Sequence, residues 1–410
     1  MLIERVDSFT DFQNLKTAWE DVYQRDPEAQ FFLSWKWLAG VLENHPGEWI
    51  VLAARRADET YLGFLPLRLK TVWSNSQQQL RNEIQFVGRL FWADYGGILC
   101  VPESEFEVLS AFASHVKQLN WSHMSLKGFR ISERRFGMFI APLVDERLII
   151  ESESSIINDG ETDNLVCPYI DLPETFEAYL AEKLSSNTRQ KIRRFLRRLE
   201  SSTEYQVTTT SPETQARDGR ILELLWSKVW SEQKGSDTER LATTYRMIVE
   251  RGLDDEIVHQ SILWHNDSPI GILASFVDWQ KSRLLFFVGG RDEDFRDLPV
   301  GLVLHACNIR WAIENGIRTY DLLRGNEPYK YSLGAADVRL RYPVIRTQSG
   351  VNLNGRFDPG GLREAIRLAD KFAERNHTQS AVTACQQILA VSPGHEAARC
   401  LVETLAGARS

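Results

Sequence analysis

The order of elements along this 410-residue chain predicts an α+β fold: two tandem domains, each a mixed, mostly antiparallel sheet flanked by helices, and then a short all-helical segment. Three observations predict it. Apolar runs that read as strands follow one another across short turns rather than alternating strictly with helices. Helix, strand meander, helix and strand recur in similar order in the two halves. After the punctuation FDPGG, the pattern is helical only.

In the first half, helical spacing over Phe12 to Tyr23 leads to a short aromatic helix around Ser34, Trp35 and Trp37. Strands are expected at WIVLAARR from Trp49, YLGFLPLRLK from Tyr61 and EIQFVG from Glu83. FWADYGGILC (Phe91 to Cys100) carries turn signals in an apolar context; a helix (Glu105 to Leu119) and a strand (His123 to Gly128) follow. Polar, acidic residues Glu151 to Asn164 read as a loop or linker.

The second half opens with a strand (Cys167 to Leu172), a helix from Thr175 to Leu199 and a strand near Tyr205 to Thr210. Helices over Thr214 to Gln233 and Thr238 to Arg251 precede three strands: Glu256 to His265, Pro269 to Trp279 and Arg283 to Gly290. Asn266 to Pro269 and Gln280 to Ser282 have hairpin length, so these strands pair antiparallel. A loop, a helix (Val300 to Asn315) and a strand (Arg318 to Leu323) complete the half. The domains are therefore expected at 1–155 and 156–350, with a helical hairpin at 360–410. Leu368, Ala369, Phe372, Ala381, Ile388 and Pro393 there fit one tetratricopeptide-like repeat, with Leu401 on a capping helix. One such repeat cannot bury its own core, so it leans on the main body or on a protein partner; a plain helical hairpin is the simpler alternative.

A net charge of −8 argues against coating of nucleic acid, and no DNA partner is expected. Five scattered cysteines with no C-x-x-C point to reduced thiols, and eight histidines show no metal-binding spacing. The start lacks a signal-peptide core, and no apolar run approaches the about 20 residues that span a bilayer. A cytoplasmic protein is expected.

Against this acidic background, SSNTRQKIRRFLRRLE (Ser185 to Glu200) places six cations within ten residues. Leu184, Ile192, Phe195, Leu196 and Leu199 form an apolar face, while Arg189, Arg193 and Arg197 form a stripe with Arg194 and Arg198 beside it. Ser185 or Ser186 serves as N-cap and Asn187 sits beside it, so free N–H groups accompany the guanidinium forks. Arg189, Arg193, Arg194 and Asn187 are candidate phosphate or carboxylate ligands; a solvated charged face is the plainer reading.

Two further stretches carry candidate chemistry. LLFFVGG ends in Gly289 and Gly290, and beyond a loop Pro299, Val300 and Gly301 open a helix whose N–H groups could hold a phosphate or polarise a carbonyl. In YDLLRGNEPYKYSLG, Asp321, Arg324, Glu327, Tyr329 and Lys330 crowd a strand-end turn. Lys330 could neutralise developing charge and Tyr329 could protonate a leaving group, or Asp321 and Glu327 could simply pair with Arg324. His305 could act as base, although a lone histidine on a half-buried helix also reads as structural. Trp92, Asp94 and Tyr95, beside Gly96–Gly97, would suit a sugar or peptide acceptor, or merely a core and hairpin.

SSNTRQKIRRFLRRLE, FFVGGRDEDFRDLPVG, LVLHACNIRWAIENGIRTYD and LLRGNEPYKYSLG resemble, in that order, the CelD/BcsL-type branch of the GNAT acyltransferase superfamily, related to the FemAB aminoacyl-ligases. The resemblance covers roughly residues 165 to 345 well and the first half more weakly. It implies two GNAT-like domains and acyl-CoA as co-substrate. It also implies transfer to an amine or sugar-linked acceptor, such as an amino sugar or a cell-envelope or exopolysaccharide precursor. Typical members grip the CoA pyrophosphate with an Arg/Gln-x-x-Gly-x-Gly/Ala loop; RDEDFRDLPVG holds four acids and one glycine there. FemAB-like use of aminoacyl-tRNA, or a catalytically degenerate scaffold that assembles other polysaccharide enzymes, are the alternatives.

Overall fold

Residues in left-handed backbone conformation turn the strands back on their neighbours. Asn266 and Asp267 (φ +46° and +64°) close one hairpin, and Ser282 (φ +49°) helps close the next. In the computed structural model, which describes residues 1–407, the chain begins with β1 (Leu2–Val6), α1 (Phe9–Asn14), α2 (Lys16–Arg25), α3 (Trp35–Glu43) and β2 (Trp49–Arg55). Next come β3 (Tyr61–Ser74), β4 (Gln79–Phe86), β5 (Leu99–Cys100), α4 (Glu105–Val116), β6 (His123–Ser125), α5 (Glu133–Ile140) and β7 (Leu148–Ser152). It continues through β8 (Ile156–Ile157), β9 (Thr162–Asp163), β10 (Val166–Asp171), α6 (Phe176–Glu182), α7 (Ser186–Ser201) and β11 (Tyr205–Thr209). Then follow α8 (Gln215–Lys234), α9 (Thr238–Asp254), β12 (Val258–His265), β13 (Ser268–Asp278), β14 (Arg283–Arg291), α10 (Val300–Glu314) and β15 (Thr319–Asp321). The last elements are α11 (Pro328–Tyr331), β16 (Ala336–Arg339), β17 (Pro343–Thr347), α12 (Leu362–Glu374), α13 (Thr378–Val391) and α14 (Glu396–Gly407).

These elements form two compact units, 1–154 with 340–410 and 155–339. The architecture is α+β, each unit built on a mixed, mostly antiparallel sheet. The second sheet has the order β11-β12-β13-β14-β15-β10-β16, antiparallel except for the parallel β14–β15 pair. The first runs β1-β2-β3-β4-β6-β17-β7, with β4–β6 as its parallel pair. Both therefore contain a three-stranded meander whose last strand pairs in parallel with the strand after the next long helix.

Residues 340–350, expected in the second domain, belong to the first unit. β17 inserts between β6 and β7 there, as β10 pairs on β15 in the second sheet. The single helix expected from Thr175 to Leu199 is two, because the Ser185 hydroxyl caps a fresh start by accepting from Thr188 N at 3.3 Å. The expected linker 151–164 holds the small β8–β9 hairpin. The helical segment expected at 360–410 comprises α12, α13 and α14, its last three residues lying outside the described chain. Ala365, Ala369, Ala384, Cys385 and Ile388 bury against Leu80 and Phe357 of the first unit. The Gln387 amide bonds both Leu80 N (2.7 Å) and Leu80 O (3.1 Å), as a neighbouring strand would.

In the second unit, Ile192 and Leu196 of α7 join Tyr179, Ile309, Leu284 and Tyr320 in one core layer. Leu222, Leu225 and Trp226 of α8 cover Ile272, Ala274 and Val288 on the other face. Burying these residues supplies the main driving force for that unit.

The first unit carries a buried ionic cluster. Arg135, 1% exposed, pairs with Asp26 (2.8 Å) and Glu105 (2.8 Å), and donates to Cys100 O at 3.2 Å. Removing one partner of such a cluster strands the opposite charge in a dry site. Arg135→Ala should lower the unfolding free energy by about 3–5 kcal/mol, measured by denaturant titration.

Candidate active site

The site begins where two strands part. β14 and β15 are in register only from Arg283–Thr319 to Leu285–Asp321, whereas β14 runs on to Arg291. From Phe286 onward β14 therefore has a paired neighbour on the β13 side alone. A bulge lies at the same place: Ala274 faces Val288 and Ser275 faces Phe286, leaving Phe287 as the extra residue. The unpaired edge of β14 leaves backbone donors free to meet a ligand.

A cavity of about 670 Å³ opens at this fork. Its floor includes Phe286, Gly289 and Gly290 of β14 and Ile272 and Leu273 of β13. Phe195 of α7, Val229 and Trp230 of α8, and Tyr329 and Leu333 near α11 form apolar walls. The N-terminal turns of α10 (Val300, Gly301, Leu302, Leu304 and His305) close one side. Pro299 caps α10 without a side-chain bond. Val300 N bonds Leu298 O and Val303 N bonds Pro299 O, which leaves the Gly301 and Leu302 N–H groups for an anion at the helix's positive end.

Charge at the mouth is mixed. Asp292, Glu293 and Asp297 line it, but Lys228 stands 3.4 Å from Asp292, Arg291 2.9 Å from Glu293, and Arg198 4.0 Å from Asp297. These partners offset the repulsion that the acidic loop would exert on a phosphate. Lys191 and Arg296 also line the cavity and have no carboxylate partner among the described residues.

The expected residues divide accordingly. Gly289, Gly290, Gly301 and Tyr329 come together around the cavity. The arginine stripe does not. Arg189 donates to Ala181 O (3.2 Å), Arg193 pairs with Glu177, and Arg194 lies over the Phe195 ring at 4.7 Å. Asn187 is exposed on the first turn of α7. With Ile192, Phe195 and Leu196 turned inward, the helical period carries these groups to other faces. The basic residue of α7 that reaches the cavity is Lys191, one turn before Phe195.

Lys330 is not free to stabilise charge. It is 3% exposed, and its Nζ donates to Arg324 O (2.8 Å) and Gly325 O (2.9 Å) and pairs with Glu327 at 3.0 Å. Gly325 sits at φ +100°, and an added Cβ would meet the Glu327 carboxylate at 2.6 Å. Asp321 Oδ1 accepts from Leu323 N at 2.9 Å, fixing the left-handed Leu323 (φ +56°). Asp321, Arg324, Glu327 and Lys330 thus hold the turn that presents Tyr329, and none of the four lines the cavity. Tyr329 is 45% exposed, yet desolvation of its phenol and the nearby Glu327 charge push its pKa well above 10, so it stays a proton donor.

Trp92, Asp94 and Tyr95 belong to the first unit. Trp92 is exposed, at φ +59°, while Tyr95 is buried against Phe32 with Arg130 over its face at 4.8 Å. Past the last β4–β6 pair there, Phe86 packs edge-on against Phe129 (4.9 Å), and a Cβ on Gly96 would strike Phe86. Aromatic rings thus fill the place that is open in the second unit.

Sequence reasoning passed over Lys191, Phe195, Trp230 and Arg296 as cavity residues. Only Lys191 carried a usable signal, its i,i+4 alignment with Phe195.

His305 and His259 are buried neutral: burial pushes their pKa values down from 6.5 to about 3 and about 4, and the Lys330 charge adds to the shift of His305. The unfolded chain binds these protons more readily, so the stability they contribute is complete above about pH 6.5 and falls as pH drops toward 4 and 3. His259→Phe should flatten the slope of stability against pH between 6.5 and 4 in denaturant melts.

The two glycines of the floor and helix start differ sharply. A Cβ on Gly290 would stand 2.5 Å from Trp226 N on α8, whereas one on Gly301 meets nothing within 4 Å. Gly290→Ala should destabilise the fold by about 1–3 kcal/mol through overpacking, while Gly301→Ala should melt at or above the wild-type temperature.

Residues 186–331 match a family model described as an acetyltransferase (GNAT) domain. A comparison with curated proteins finds no match. Among solved structures, FemX is similar over 84% of this chain and 97% of its own, at 12% identity and a TM-score of 0.55. A conserved protein of unknown function from Bacteroides thetaiotaomicron VPI-5482 covers 85% of this chain and 100% of its own at 13% identity, TM-score 0.48. A tandem GNAT protein from the clavulanic acid biosynthesis pathway covers 84% and 98% at 12% identity, TM-score 0.47. Among the described residues, no helix is long and apolar enough to cross a membrane, and no group of three or more His, Cys, Asp or Glu residues could hold a metal ion. The chain has an α+β fold similar to that of FemX, and its second unit contains the stretch that matches the acetyltransferase (GNAT) domain.

Proposed function

We infer that the second unit transfers an acyl group from a phosphate-bearing carrier, with acyl-CoA as the leading case, to an amine acceptor. One observation carries this reading: the free edge of β14, the bare N-terminus of α10 and the phenol of Tyr329 converge on a single, largely apolar cavity. The Gly301 and Leu302 N–H groups, with Lys191 and Arg296, would hold the carrier's phosphates. The apolar walls would take the carrier's arm and the acyl group. The acceptor nitrogen, having lost a proton, attacks the acyl carbon, and backbone donors of Phe286 to Gly290 meet the oxyanion. As the bond to the carrier sulfur breaks, Tyr329 gives the thiolate a proton, and the phenolate is restored by the proton that the new amide nitrogen sheds. No serine or cysteine nucleophile is needed. The GNAT match over 186–331 supports this chemistry, and the amino-sugar or cell-envelope precursors implied by the sequence resemblance are the acceptors to try first.

A second reading draws on the acids of the mouth. Asp292, Glu293 and Asp297 suit a donor that carries an ammonium group, as in FemAB-like transfer from aminoacyl-tRNA.

Calorimetric titration separates the readings. Acetyl-CoA should bind, and Lys191→Ala combined with Arg296→Ala should weaken it at least roughly tenfold. Arg189→Ala combined with Arg193→Ala, whose side chains are engaged elsewhere, should bind as the wild type does. Failure to bind acetyl-CoA together with retention of charged tRNA would replace the first reading by the second.

A further inference from the structure

Buried polar groups lie in the core of the second unit, and one of them, His305, reaches the cavity. Deeper in that core, the Ser261 hydroxyl donates to Asn308 Oδ1 at 2.8 Å, and His259 stacks on Trp311 at 3.7 Å. The Ser261 hydroxyl takes the amide oxygen, so the amide nitrogen is the other end of Asn308. Ser275 Oγ and Asn308 Nδ2 are buried and have no hydrogen-bond partner among the described residues. Tyr320 lies wholly buried in the same core. Among the described residues the hydrogen-bond partner of this phenol is His305 Nδ1, 2.7 Å away, so the buried O–H donates there rather than going unpaired. An Nδ1 that accepts this bond leaves the ring proton on Nε2.

His305 is 5% exposed and lines the cavity, edge-on to Phe286 (4.7 Å) and near Tyr329 (5.9 Å). Its one hydrogen bond is spent at Nδ1, so the Nε2 edge is the polar part of the ring that a ligand can meet.

We propose that His305 is a catalytic hydrogen-bond donor, a neutral imidazole fixed in its Nε2–H form, that polarises the carbonyl of the bound acyl donor. Tyr320 is the positioning residue that sets its tautomer. The inference rests on the acyl-transfer reading and adds a side-chain electrophile to the backbone edge of β14. His305 gives up no proton. As the acceptor nitrogen bonds to the acyl carbon, the carbonyl pair moves to oxygen and the Nε2–H bond to it strengthens. When the carbonyl re-forms, the carrier sulfur leaves with that bond's electron pair and takes its proton from Tyr329; the nitrogen sheds one proton to become a neutral amide, and that proton restores the phenol. A neutral imidazole suits this task, because its proton stays in place through the step. Burial, together with the Lys330 charge, keeps the ring neutral at physiological pH.

Three measurements on the full chain test it. In the ¹⁵N spectrum of histidine-labelled protein, the resonances lost in His305→Asn should be those of an Nε2–H imidazole, unchanged from pH 5 to 8. An Nδ1–H form, or protonation in that range, would overturn the proposal. Tyr320→Phe should release the tautomer and mix the two forms. With carbonyl-labelled acetyl-CoA bound, the infrared carbonyl band should shift down in the wild type and return toward its free position in His305→Phe. An equal band in both proteins would sink the idea. In transfer assays His305→Phe should lower kcat roughly 100-fold with the acetyl-CoA Kd unchanged, and His305→Gln, which can still offer an N–H, should recover part of it. Calorimetry decides separately whether acetyl-CoA binds, so failure of the underlying reading is distinguishable: no binding at all rejects acyl-CoA as donor, whereas binding with an undisplaced carbonyl rejects His305 alone.

Discussion

The second unit's site depends on unequal strand lengths at one parallel pair. β15 stops at Asp321 while β14 continues to Arg291, and no side chain could make up for a full-length β15. Had the ladder continued, β14's outer hydrogen-bonding edge would be consumed and the fork would close. Three local features keep it open. The Phe287 bulge breaks the regular ladder between β13 and β14, the left-handed Leu323 turns the chain off the sheet just after Asp321, and the Lys330 ammonium ties down the turn that follows. Residues that read as chemistry in a linear motif are thus largely the scaffold of an opening. Their contribution is geometric: they hold Tyr329 beside the cavity and turn the chain away from the β14 edge.

Much of the second unit was legible in the sequence because its strands are long, apolar and separated by short turns. The meander β12–β13–β14 and helix α10 fell where periodicity and turn residues put them. Period-based reasoning identified the amphipathic α7 but could not choose among its polar faces. The arginines dominate by number, whereas Lys191 is placed by its position beside the buried Ile192–Phe195 edge. Gly289 and Gly290 were legible as special, yet the reason for Gly290 was not. Its missing side chain lets the α8 backbone pack on the sheet, a tertiary approach that no local pattern encodes. β17 was missed because a five-residue strand, PVIRT, follows a turn-rich segment and pairs with strands more than 190 residues away.

The first unit shows what the same topology becomes without the opening. Its meander, helix and parallel strand repeat the order of the second. Phe86, Gly96 and Phe129 nevertheless interlock at the end of its parallel pair, so burial replaces access. The buried Arg135 cluster and the Asn82–Asn352–Asp358 hydrogen bonds reinforce the same unit: Asn82 N donates to Asn352 Oδ1 and Asp358 N to Asn82 Oδ1, both at 2.9 Å. Rigidity is the common outcome of these contacts. A repeated fold can therefore separate into one member that packs and one that keeps a cavity open through a handful of aromatic placements.

The position of β17 has a consequence for biosynthesis. A ribosome delivers β6 and β7 nearly two hundred residues before the strand that lies between them, so the nascent amino-terminal sheet waits with an unfilled slot while 155–339 are made. Vacant strand edges of this kind recruit stray β-segments. Late closure by such a distant partner also raises contact order, which slows the final folding step. Shielding the early portion until residues 343–347 have emerged would protect that slot.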